Sequence, residues 1–376
     1  MFTRHYRIML LAAAVVGSTL GCADPPSAPA RDAPEAAQAT RNAGLVPVDL
    51  GTLNGFSPGR ASEARAINQD GDVVGWAEVT GPAYPVPRAV LWRGGQIIDL
   101  GTLGGRISRA WGINADGVVV GGALVTGDYF YHAFMWRDGV MTDLGTLATP
   151  GPFSIYGSVA YGVDNTGRVV GWSQTSTRAT HAFLWEQGTM TDLGTLGGAA
   201  SVAYAISSSG IVVGSSLTAG GEEHAFMWRN GVMADLGTLG GAKSIAYAVN
   251  PSGDIVGSST TPAGEEHAVL WPKGAGIVDL GTLGRASSVA TGINPSGQIV
   301  GYFTGAPSSG AFVWQKGVMS ELPGVLREVP GFVGEGVPHA YGINAAGEVV
   351  GDGVTDYKPH AALWTRQEVA RSAAAL

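Results

Sequence analysis

From residue 45 onward one phrase recurs, and its spacing limits the fold more than any other feature. Asp-Leu-Gly-Thr-Leu begins at Asp49, Asp99, Asp143, Asp192, Asp235 and Asp279, with a degenerate copy at Glu321. The intervals are 42 to 50 residues. A tryptophan keeps step at Trp92, Trp136, Trp185, Trp228, Trp271, Trp314 and Trp364, and so does a Gly-x-(Val/Ile)-Val-Gly phrase. Periods in the forties belong to propellers and stacked arrays.

Each unit carries four short strand signals. Around residue 220 they are Ser201–Ile206, Ile211–Ser215, His224–Trp228 and Val232–Leu236, rich in β-branched and aromatic residues. The turns are equally regular. Asn-x-x-Gly, as at Asn68–Gly71 and Asn250–Gly253, joins the first two strands as a type I turn with a left-handed glycine. Asp138-Gly139 and Asn230-Gly231 join the last two as tight type I′ hairpins. That hairpin sets Trp228 opposite Met233 and Phe226 opposite Asp235, with His224 diagonal to Asp235.

Counting strands predicts how the ends meet. The fourth strand type appears first at Leu45–Leu50, before any complete unit, and is missing after Trp364. A ring resolves both facts, because the N-terminal strand completes the last sheet and no edge stays open. The expected fold is all-β: a seven-bladed propeller of four-stranded blades over residues 45–366. An open solenoid is the rival, and it would need distinct caps. Small residues such as Ala203, Ala205, Ala246 and Ala248 are expected near the crowded axis.

The remaining residues read as an address and a tether. Arg4 and Arg7 precede an apolar run, Ile8–Val16, too short to span a bilayer. Residues 1–21 are therefore expected to be a signal segment. Thr19-Leu20-Gly21-Cys22 resembles a lipobox, with Thr19 where a large aliphatic residue is usual, so Cys22 is the expected lipidation site. Residues 22–44 are Pro/Ala-rich and read as a flexible tether, and 367–376 as a tail. The expected location is the bacterial envelope, held by a lipid anchor, with secretion as the alternative. Cys22 is the chain's one cysteine, so no intrachain disulfide forms.

His-Ala-Phe at 132–134, 181–183 and 224–226, each followed by x-Trp and then Asp-Leu-Gly-Thr-Leu, resembles the HAF repeat family. The resemblance covers roughly residues 45–365. It implies an exported bacterial protein and brings no reaction with it. The triplet decays to Arg88-Ala-Val, His267-Ala-Val, Gly310-Ala-Phe and His360-Ala-Ala in the other units.

Composition narrows the function. Only 14% of residues are charged, the net charge is −8 and four residues are lysine, which argues against nucleic acid as a partner. His132, His181 and His224 with Asp143, Asp192 and Asp235 could suggest metal ligation. A repeated structural hydrogen bond is the expectation, since a catalytic group is rarely copied around a scaffold. The seven tryptophans are expected in the core. Asn68-Gln-Asp-Gly-Asp72 faintly resembles a calcium loop but lacks its closing glutamate, and reads as a turn. No cofactor motif, metal set or nucleophile elbow is found, so no cofactor is expected.

The second-to-third and fourth-to-first connections vary and should share one face, where loops held by a scaffold carry function. Aromatic residues gather there: Phe56, Tyr84, Tyr129, Phe130, Tyr131, Phe153, Tyr156 and Phe332. The first reading is a monomeric interaction module for a protein or an envelope polymer. Glycan binding or cleavage is the alternative, drawing on Asp128, Glu222, Glu223, Glu265, Glu266 and Asp356. A purely structural envelope component is the third.

Overall fold

A computed structural model describes residues 44–53, 61–80, 84–127, 130–148, 156–306, 308–324, 338–355 and 358–366. The signal segment, Cys22, the tether up to residue 43 and the tail 367–376 lie outside the described residues. So do Phe56, Tyr129, Phe153, Phe332, Asp128 and Asp356.

Seven antiparallel four-stranded sheets form the chain's propeller. Blades 1 to 7 begin with the inner strands Ser62–Ile67, Gly104–Ile113, Ser158–Val163, Gly197–Ile206, Ser244–Val249, Ser287–Ile293 and His339–Ile343. Six blades run in sequence order from inner to outer strand. The seventh takes Leu45–Asp49 as its outer strand, which pairs with Lys358–Arg366 from Leu45 opposite Arg366 to Asp49 opposite Ala362. The closure expected from counting strands is present. Pro47 is tolerated because an outer strand leaves one row of its backbone groups unpaired by sheet bonds.

The hairpin register read from the sequence also holds: Trp228 pairs with Met233 and Phe226 with Asp235. Asp138 and Gly139 have φ of 51° and 86°, and Asn230 and Gly231 have 51° and 84°, as a type I′ turn requires. Asn68-Gln-Asp-Gly-Asp72 is a turn whose Asp72 carboxylate takes Arg93 at 2.6 Å.

The apolar core lies between blades. One cluster joins Val74 and Leu91 of blade 1 to Val119, Phe134 and Trp136 of blade 2, and another joins Val73 and Ala64 of blade 1 to Val350 and Ala361 of blade 7. Strands covered on both faces must be apolar on both, so charged side chains fall mainly at strand ends, in loops and on the channel wall.

Two recurring polar residues bolt one blade to the next. Ser158 Oγ accepts the Ala133 N–H at 2.9 Å or shorter and donates to the Gly145 carbonyl at 2.6 Å; Ser201 and Ser244 repeat the arrangement, and Ser62 carries it across the seam to Ala361. On the opposite face, four Asn amides, of Asn68, Asn114, Asn294 and Asn344, reach the neighbouring turn. Asn114 donates to the Asp164 carbonyl, Asn294 to that of Asn344, and Asn344 to that of Asn68, 276 residues away. The ring is thereby closed by hydrogen bonds as well as by the outer strand. Buried polar atoms tolerate few exceptions to such pairing.

Candidate functional site

The recurring Gly-x-Val-Val-Gly phrase has a consequence at the axis. Its first glycine takes the left-handed turn position, as Gly71 does at φ 81°. Its second, as at Gly75, has no room for a side chain: a Cβ would meet the Glu63 carbonyl at 1.9 Å. The inner strand is pressed against that glycine, and there the pairing slips. Between Ala64 and Ala66 one extra residue, Arg65, stands outside the ladder. The same slip frees Trp111, Tyr161, Tyr204, Tyr247, Thr291 and Tyr341 in the other blades. A bulge re-aims the side chain of its extra residue, and here it aims all seven at the central channel.

The result is a tier of side chains around a cavity of about 220 Å³. Trp111 and Tyr161 meet edge to face with centroids 5.7 Å apart, and Tyr161, Tyr204 and Tyr247 follow at 5.4 and 5.3 Å. The Arg65 guanidinium lies 4.7 Å from the Trp111 ring centre and 4.2 Å from that of Tyr341. It also pairs with Glu63. The small residues expected near the crowded axis pack between neighbouring inner strands, where a Gly162 Cβ would meet the Ala205 Cα at 3.2 Å, and the channel itself is lined by the tier. Ala203 and Ala246 are buried between blades, while Tyr204 and Tyr247 face the channel. The bulge is what reverses their roles.

Two residues nearer the loop face, the channel wall turns polar. Glu63 stands opposite Trp76 in the strand ladder, and Arg109 lies 5.6 Å from the Trp76 ring centre. His339 donates from Nδ1 to Asp352 at 3.0 Å and meets Tyr302 edge-on. Ser215 donates to Glu223 at 2.9 Å, and Ser258 donates to Glu266 at 2.8 Å. On the other side of the tier a separate cavity is lined by the Asn turns.

Burial sets the chemistry of these groups. It pushes the Glu63 carboxyl above its ordinary range, against the pull of Arg65. It raises the phenols of Tyr161, Tyr302 and Tyr341, with Tyr204 pushed up to about 12. Tyr247 rises further, through burial first and then its acidic and phenolic neighbours. The tier therefore presents neutral hydroxyls at physiological pH.

The residues singled out from sequence fall elsewhere. His132, His181 and His224 bind Asp143, Asp192 and Asp235 through Nδ1 at 2.9, 2.7 and 2.7 Å. Each aspartate also accepts the N–H of the glycine two residues on. Burial alone would raise the Asp143 carboxyl, but the His132 and Gly145 hydrogen bonds hold it below its ordinary range. The pairs tie the third strand to the outer one in separate blades. His267 and Asp279 repeat them, His360 and Asp49 make one across the seam, and Arg88 replaces the histidine in blade 1. Among the described residues no group of three or more His, Cys, Asp or Glu could hold a metal.

Of the tryptophans, Trp92, Trp136, Trp271 and Trp364 are buried, whereas Trp185, Trp228 and Trp314 are only half-buried. Phe134, Phe183, Phe226 and Phe312 are fully buried in the clusters between blades.

The second-to-third and fourth-to-first connections do share a face, for Gly241 donates to the Thr260 carbonyl and Leu103 bridges Val125. Among the described loop aromatics, Tyr84 is the exposed one at 58%. Tyr131 is half-buried and its hydroxyl contacts Arg109 at 3.4 Å, beside the channel wall. Tyr156 is half-buried and donates to the Ser176 carbonyl, and Phe130 is half-buried at the start of the third strand of blade 2.

No protein-family model and no curated protein matches the chain. Solved structures match its shape. The β-propeller domain of the trilobed protease from Pyrococcus furiosus superposes with a TM-score of 0.52 at 9% identity, over 82% of this chain and 94% of that one. TolB from Acinetobacter baumannii gives 0.46 at 10% identity over 78% of this chain, which spans 63% of TolB's length. A lectin from Aleuria aurantia gives 0.36 at 13% identity, over 72% of this chain and 98% of that one. At such identities the likeness is one of fold. The Pyrococcus propeller is described as having an open velcro topology; the present ring is closed by its own N-terminal strand.

Proposed function

We propose that the chain is an exported binding module, tethered to the envelope through Cys22, whose ligand enters the central channel from the loop face. One observation carries this reading. Seven bulges turn side chains towards the axis, and five of those side chains are aromatic. Packing alone does not call for such a tier, since the core lies between the blades. Aromatic faces, phenol hydroxyls and one guanidinium around a concave space suit a small ligand or the tip of a larger partner.

The test is a thermal-shift panel of glycans, peptides and small amines on the intact propeller, repeated on the Tyr161→Ala/Tyr204→Ala variant. A ligand at about 100 times its Kd adds about 2.7 kcal/mol, or several degrees in Tm. That shift is expected to vanish in the channel variant. A shift that survives there and is lost in Tyr84→Ala would return the site to the loop rim. No shift from any member, with the parent folded, removes the binding reading.

The tether has its own check. Full-length chain expressed in a bacterium is expected in the membrane fraction, and Cys22→Ala in the soluble fraction. A variant that stays with the membrane after signal processing rules out the lipid anchor.

A further inference from the structure

Resting on that reading, we infer that the arc formed by Tyr161, Tyr204 and Tyr247, with Glu266 above it, is a receptor for a guanidinium group. The two halves of the channel wall differ in charge. Around blades 7, 1 and 2 the charges answer one another: Arg65 with Glu63, and His339 with Asp352. Around blades 3 to 5 the aromatic arc continues, and among the described residues no cation lies over its rings. Glu223 is partnered at its rim by the exposed Lys243 at 3.2 Å. Glu266 accepts one hydrogen bond, from Ser258, and has no ion pair among the described residues. The surplus on this side is therefore negative, and, after burial, Glu266 is among the neighbours that raise the Tyr247 and Tyr302 phenols. Ring faces attract cations, and more strongly where water is excluded.

The protein itself shows that the tier accepts this chemistry. Arg65 occupies the corresponding position across the channel, its guanidinium resting on Trp111 and Tyr341 within 5 Å of both ring centres. A ligand guanidinium placed on the opposite arc would repeat that contact, with Glu266 in the role Glu63 plays for Arg65. The neutral phenols could add hydrogen bonds to the ligand's flanking atoms. A guanidinium is planar and weakly hydrated, so it gives up water more readily than an ammonium to lie against a ring.

The experiment is calorimetry or tyrosine fluorescence with argininamide, its neutral isostere citrullinamide and a Gly-Gly-Arg-Gly-Gly peptide as probes. Argininamide is expected to bind, citrullinamide not. Glu266→Gln, which keeps the bond from Ser258, is expected to weaken argininamide about tenfold, and Tyr247→Ala about tenfold. Circular dichroism melts establish that each variant is folded, and Val232→Ser, on an exposed position of an outer strand, should bind like the parent. A peptide tighter than argininamide identifies an arginine of a polypeptide as the source; equal affinities identify a free small molecule. Equal binding of citrullinamide, or unchanged affinity in Glu266→Gln, overturns the guanidinium assignment and leaves the channel itself as the site. Absence of argininamide binding at millimolar concentration also overturns it, while a neutral ligand displaced by the channel substitutions would still uphold the broader reading.

Discussion

Deleting residues 45–49 is expected to lower the melting temperature by about 10 °C or more, or to abolish cooperative unfolding. The segment supplies the outer strand of blade 7, paired over all five of its residues with Lys358–Arg366. Its loss also removes the Asp49 carboxylate from the buried His360, a pair held at 3.0 Å. It takes away Leu45, which packs against the cluster around Trp364. At about 0.5–1.5 kcal/mol per backbone hydrogen bond and about 1.5–3 kcal/mol for a fully buried leucine as an upper bound, the sum approaches about 5 kcal/mol. That is a large part of the roughly 5–15 kcal/mol that holds a domain together.

A control separates the strand itself from the way it is connected. Leu45 lies opposite Arg366, as Val232 lies opposite Arg229 across the Asn230-Gly231 turn. Blade 7 thus lacks, between Arg366 and Leu45, the third-to-outer turn that the other blades carry. Joining Arg366 to Leu45 through Asn-Gly, and opening the chain between residues 53 and 61, should restore the hairpin of the other blades. This permutant is expected to melt within a few degrees of the parent. A deletion that melts like the parent would mean the seam contributes little, whatever its geometry.

How much of this was legible in the sequence depends on whether a feature is local. The hairpin register was, because Asn230-Gly231 fixes it within six residues. The closure was, because it follows from a count of strand types with one displaced to Leu45. The channel tier was not. In a regular strand Ala203 and Ala205 share one face and Tyr204 takes the other, so alternation says nothing about the axis. The bulge between Ala203 and Ala205 overrides that alternation. Its cause is on another strand, at Gly214, where a Cβ would meet the Val202 carbonyl at 1.9 Å. The signal that could have found it is the pairing of two phrases: Ala-aromatic-(Gly/Ala) on the inner strand with the second glycine of Gly-x-Val-Val-Gly on the next. Without that pairing, the Tyr of the first phrase reads as one member of a regular strand. Tyr131 was noticed for its place in a loop cluster, yet its contact with Arg109 ties it to the channel wall.

The tryptophans show the same limit from the side of stability, and they provide the second large effect. Equal spacing suggests equal roles, but burial differs from blade to blade. Trp364 is fully buried, donates from Nε1 to the Pro323 carbonyl at 2.8 Å and packs on Val300, Ala311, Leu322 and Ala340. Trp364→Ala is expected to cost about 3–5 kcal/mol through lost contacts and a residual cavity. The Pro323 carbonyl would lose this donor as well. Trp185 is half-buried, so Trp185→Ala should cost about 1–2 kcal/mol by the same area argument. Denaturant titrations with an unchanged slope would measure both. Trp364→Phe keeps most of the apolar volume and removes only the indole N–H, and it should fall between the two. Because Trp364 stands opposite Pro47 in the closing strand, the cost of Trp364→Ala should shrink once residues 45–49 are deleted. Additive losses would show that the indole stabilises its neighbours without help from the seam.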